Sequence, residues 1–265
     1  MPTQWWGRFE LDMGQSGRWE IASLAIAVTR LEHEWRIQHR EGKPDNTSAP
    51  GWSVQIPGNA LGEEAKVVRY IFRKESRTVL IQPATADRPI VTRPVDPIHL
   101  QGGEKVTVFV SSPLWVNVCR QGVDTPLLDV PVRRPSDTWF GPSTLHGEMC
   151  YAARTQARLT RADLPQREHR ALTAVSIRNR GERPLLLERL KLPVCQLSLY
   201  AIEGDDEGGL WTNNLNIVAE EKVALAEVQM EAGPPRHVAG AGLVSGPRQP
   251  LESHVLQRAL HALLG

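Results

Sequence analysis

The window Arg133–Tyr151 holds the densest set of groups that could bind or react: Arg133, Arg134, Asp137, Trp139, Phe140, His146, Glu148, Cys150 and Tyr151, around a Gly141-Pro142 turn. Its residue types suit three kinds of chemistry. Cys150 with His146 and Glu148, or with Asp137 as the orienting acid, has the components of a hydrolase-like nucleophile and base, because such groups are defined by geometry and not by chain order. Arg133 and Arg134, with Arg154 and Arg158 farther along, could hold a small anion through forked guanidinium contacts. Trp139 and Phe140 beside the turn could stand out as an aromatic clamp for a partner, since arginine and tryptophan dominate binding hot spots.

Each of these has a plain structural counterpart. Cys150 lies between Met149 and Tyr151, where a thiol behaves as a small hydrophobe. Surface arginines are mostly solvated or ion-paired. A tryptophan in this position can equally plug the end of a sandwich. His146-Gly-Glu148 offers two metal ligands without a third nearby, and the eight histidines form no metal-binding motif. Gly240-Ala-Gly242 does not join a strand to a helix, as a dinucleotide cradle would. No metal and no cofactor are therefore expected. With no complete catalytic constellation, the sequence favours a non-enzymatic interaction or ligand-sensing module over the hydrolase alternative. The expected recognition surface comprises Arg133, Arg134, Trp139, Phe140, His146 and Arg154, facing a protein partner or a small anionic ligand.

Composition excludes other classes. The net charge is +1 over 265 residues, so no global field recruits nucleic acid or an anionic membrane. The three cysteines are odd in number and far apart, which suits reduced thiols and a cytoplasmic protein. The N-terminus lacks the basic start and apolar run of a signal peptide. No apolar run reaches the ~18 residues of a membrane span.

The elements that must position the window read as strands. Trp35 and Ile37 alternate with Arg36 and Gln38, opposite a strand over 24–31, and Val106, Val108 and Val110 line one face of another. Residues 41–64 read as a polar loop, and the proline-rich piece 88–100 as a sheet edge or a connection between sheets. A hairpin is expected to join 172–178 to 185–192, and 215–230 fits strand or helix. Residues 233–250 read as a linker. Val255, Leu256, Ala259, Leu260, Leu263 and Leu264 form an apolar stripe that predicts one amphipathic helix over 252–264. The expected fold is mainly β: an antiparallel β-sandwich with one C-terminal α-helix. It is read as modules over 1–120 and 121–250 followed by the helix at 251–265, or as one continuous domain.

Trp6-Gly-Arg-Phe-Glu-Leu11, Glu34-Trp-Arg-Ile37, Ser112-Pro-Leu-Trp-Val116, Ser136-Asp-Thr-Trp-Phe-Gly141 and Glu148-Met-Cys-Tyr151 together resemble the prokaryotic family called domain of unknown function 432. The resemblance spans nearly the whole chain and carries no catalytic residues with it. It implies an accessory role beside small-conductance mechanosensitive channels.

Overall fold

The computed structural model describes residues 4–42, 50–57, 61–62, 64–72, 76–122, 125–141, 143, 145–164, 167–202, 209–220, 226–238, 240–249, 255–257 and 260–261. These are mainly β, with two short 3-10 turns at Arg161–Asp163 and Val194–Gln196. The chain forms two compact units, Met1–Ala84 with Leu114–Arg134, and Thr85–Pro113 with Pro135–Gly265.

The first unit contains a five-stranded antiparallel sheet in the order Gly51–Pro57, Gln15–Ile21, Leu24–Arg30, Glu34–Glu41, Lys66–Ile71. Every residue of the central Leu24–Arg30 strand is buried, which explains its nearly unbroken apolar sequence. The expected hairpin with Glu34–Glu41 forms and is closed by the Leu31 N–H on the Glu34 carbonyl at 2.8 Å. A four-stranded sheet runs Gly7–Glu10, Thr78–Ala84, Trp115–Arg120, Leu128–Pro131. Trp5 and Trp6 precede its edge strand and are buried edge-to-face, with ring centroids 5.2 Å apart.

The second unit is built on Arg170–Asn179. This strand pairs antiparallel with Lys105–Pro113 along its length, and parallel with Leu210–Thr212 and Leu215–Ala219. A five-stranded sheet carries the central window in the order Asp137–Phe140, Glu148–Ala152, Ile90–Thr92, Arg189–Leu192, Leu260–His261. One face of it holds Ile90, Leu190 and Leu192, all fully buried, and the other holds the buried Val91, Phe140 and Cys150.

Several elements differ from the sequence reading. The C-terminal helix over 252–264 is not formed. Val255–Gln257 pairs with the strand Ala226–Met230, and Leu260–His261 with Arg189–Leu192. Isolated helices shorter than about 12–15 residues are marginal in water, whereas open sheet edges offer ready backbone partners. The rest of that segment lies outside the described residues. The loop over 41–64 is interrupted by the strand Gly51–Pro57, in which Trp52, Val54 and Ile56 alternate inward. The hairpin between 172–178 and 185–192 does not form. Leu185–Leu187 pairs instead with Ile98–Leu100, and Arg189–Leu192 with Ile90–Thr92. Asn179 secures this reversal, its Nδ2 donating to the carbonyls of Leu100 at 3.0 Å and Arg183 at 2.8 Å. Ile90–Thr92 is a central strand and not an edge, because Pro89 and Pro94 flank it without interrupting its ladder. Within 215–230 the described residues are strands, Leu215–Ala219 and Ala226–Met230, and the 233–250 segment contributes the strand Gly242–Ser245.

Candidate recognition site

The hairpin Asp137–Phe140/Glu148–Ala152 pairs Trp139 with Met149, Phe140 with Glu148 and Thr138 with Cys150. Strand alternation sends neighbouring side chains to opposite faces. Phe140 goes inward, 3% exposed, into a cluster with Val91 and Cys150. Trp139 and Met149 lie on the opposite face beyond the covered part of the sheet and are 38% and 48% exposed, while Leu145 in the connecting loop is 87% exposed.

The described residues of the loop are closely packed against one another. A Cβ on Gly141 would run into the His146 carbonyl oxygen, and one on Gly147 would lie 2.5 Å from Trp139 Nε1. The Trp139 indole N–H donates to the Ser143 carbonyl at 2.9 Å. The His146 N–H donates to the Ser143 hydroxyl, which lies 3.2 Å from His146 Nδ1. Behind the hairpin, Arg189 Nη2 donates to the Trp139 carbonyl at 2.8 Å, with its guanidinium 5.4 Å from the Phe140 ring centre. Lys191, buried on the same face, is ion-paired with Glu148.

The surroundings of Cys150 do not suit a nucleophile. Burial, followed by the charge of Glu148, pushes the Cys150 thiol up to about 11, while Lys191 and Arg189 act in the opposite sense. A nucleophilic cysteine needs a lowered pKa and access, and Cys150 has neither. Among the described residues no hydrogen bond joins Cys150 to His146, and Glu148 is engaged by Lys191. All three cysteines are unpaired thiols. Among the described residues no group of three or more His, Cys, Asp or Glu could hold a metal ion, and no helix is long and apolar enough to cross a membrane.

Of the expected surface residues, Trp139, Phe140 and His146 share one hairpin, with Phe140 turned inward. Arg154 follows that hairpin and is exposed. Arg133 and Arg134 belong to the first unit, beyond the Leu128–Pro131 strand. Leu145, Met149, Ser143 and Arg189 were not singled out by sequence reasoning. The alternation in Arg189-Leu-Lys-Leu192 does signal two cations on one face, but not that they back the hairpin.

The described residues thus define an all-β protein of two units whose second unit presents a braced apolar hairpin tip. The chain belongs to the family described as protein of unknown function (DUF432), whose model matches residues 5–264. No curated protein and no solved structure matches it.

Proposed function

We propose that this protein is a non-enzymatic β-sandwich interaction module that captures a partner protein through Trp139, Leu145 and Met149. The sandwich reading is supported by strands buried along both faces, such as Leu24–Arg30. The observation that carries the functional reading is the exposure of three large apolar side chains on a single braced hairpin. Exposing them gains nothing for folding, whereas holding them in place lowers the ordering cost of binding. The surface therefore fits an apolar pocket on the partner. The Cys150 hydrolase alternative has no comparable support, because that thiol is buried and its pKa raised.

The test starts with the partner implied by the family resemblance, a small-conductance mechanosensitive channel in detergent, and extends to proteins captured from lysate and then purified. Trp139→Ala, at the centre of the patch, should weaken the reconstituted complex about 30-fold or more, as hot-spot truncations do. A complex that forms with wild-type affinity after truncation of Trp139, Leu145 and Met149 overturns the proposal, as does self-association without any partner.

A further inference from the structure

The five-stranded sheet of the first unit ends on the strand Lys66–Ile71, which is paired on one side with Glu34–Glu41. The register between the two runs unbroken from Glu34 opposite Ile71 to His39 opposite Lys66. The Phe72 N–H donates to the His33 carbonyl at 3.2 Å, so the backbone of Phe72 faces that neighbour. Antiparallel ladders alternate, so Tyr70 and Val68 face it too, while Ile71, Arg69 and Val67 turn their N–H and C=O groups to the outer edge. Among the described residues no strand pairs with that edge.

Edge strands are ordinarily blunted by proline, by a bulge or by being very short. Lys66–Ile71 has six residues, no proline and no register shift. Val67 and Ile71 are 49% and 79% exposed and share one face of the sheet with Arg69. That face carries an excess of positive charge beside the middle of the open edge. The Glu34 carboxylate accepts from Arg36 Nη2 at 3.1 Å and from Arg69 Nε at 2.8 Å, so two guanidiniums share one carboxylate. A second copy of the chain fits this edge poorly. Pairing Val67 with the copy's Ile71 sets Arg69 directly across from Arg69, and like charges in that position repel. Registers shifted by two residues set Arg69 against Val67 or Ile71. An acidic residue across from Arg69 has neither defect.

We propose that Lys66–Ile71 receives an extended segment of a partner protein as an added antiparallel strand, with an acidic residue across from Arg69 and apolar residues across from Val67 and Ile71. The backbone groups of the edge supply affinity and the alternate side chains supply selectivity. This edge lies in the first unit, and the proposal is independent of the reading of the hairpin tip.

The test uses the full chain and a fluorescently labelled, end-capped peptide, Thr-Val-Thr-Glu-Thr-Val-Thr, followed by anisotropy. Saturable binding is expected. Methylating the backbone nitrogens of the two valines and the glutamate should abolish it, whereas methylating those of the two inner threonines should not, because only the first set faces the edge. Lysine in place of the peptide's glutamate should weaken binding about threefold or more, as a like-charged cross-strand pair does, and Arg69→Ser should reduce that difference. Val67→Pro removes an outward N–H that the ladder with Glu34–Glu41 does not use, so the protein should fold and bind the peptide about tenfold more weakly. No saturable binding, or equal binding of the two methylated peptides, overturns the proposal. Loss of peptide binding in Trp139→Ala overturns it by assigning the peptide to the hairpin tip. Self-association of the full chain that Val67→Pro abolishes overturns it in favour of a second copy.

Discussion

Adjacent residues Trp139 and Phe140 should respond to truncation in opposite ways. Phe140 is 3% exposed, packs with Val91 and Cys150, and lies beneath the cations of Arg189 and Lys191. Phe140→Ala removes a buried ring and should cost about 3–5 kcal/mol. At about 2–4 °C per kcal/mol for a protein of this size, the transition should fall by roughly 6–20 °C. Trp139 is 38% exposed, and its side chain's hydrogen bond is the indole N–H to the Ser143 carbonyl. Trp139→Ala should therefore cost clearly less than Phe140→Ala, losing that bond, worth about 1 kcal/mol, and the packing of the covered part of the ring. Purified variants compared by differential scanning calorimetry and urea unfolding give both values. If Trp139→Ala destabilises as much as Phe140→Ala, the indole is a structural side chain and not a free contact surface. If Phe140→Ala is nearly silent, the Phe140 face of the hairpin is not packed.

The Lys191–Glu148 pair, in which the lysine is buried and the glutamate exposed, should be asymmetric: Glu148→Gln leaves a buried ammonium without its counter-ion and should destabilise more than Lys191→Met, which replaces the ion with an apolar chain; equal losses in urea unfolding would contradict this. Cys150 should make stability fall at high pH. Its folded thiol titrates at about 11 against an ordinary value of 9.0, so between these the unfolded chain has released a proton that the folded chain retains, and stability drops as pH rises through that window. A Cys150→Ala variant should show a shallower decline in unfolding free energy from pH 8 to 11, and fast native alkylation of Cys150 at pH 7.5 would show the burial to be wrong.

What the sequence reveals depends on how far apart the deciding partners lie. The Leu24–Arg30/Glu34–Glu41 hairpin was legible because its alternation and its turn are contiguous. Gly51–Pro57 carried the same alternation at Trp52, Val54 and Ile56, but the glycines and prolines around it masked the pattern. The failed 172–192 hairpin shows a different limit. Its turn residues were correctly placed, yet the strands on either side found stronger partners elsewhere, and Asn179 bonds to Leu100 as well as within the turn. The C-terminal stripe fits a 3.6-residue period, but nothing local to it shows that open strand edges compete for its backbone.

The candidate site follows the same logic. Alternation across Asp137–Phe140 requires Trp139 and Phe140 to face opposite ways, but it does not say which one is buried. That sign comes from residues far along the chain. Glu148–Ala152 pairs in parallel with Ile90–Thr92, and Val91 then meets Phe140 and Cys150 on one face. Arg189 and Lys191 arrive on that face only because Arg189–Leu192 leaves its neighbour in sequence and joins Ile90–Thr92. The hydrogen bonds of Arg170 to Ser111 and Thr155 likewise join residues far apart in sequence, Ser111 and Arg170 lying on paired strands. An aromatic pair in a turn can therefore be recognised from sequence as a candidate surface, while the choice of which ring meets the partner belongs to the sheet order.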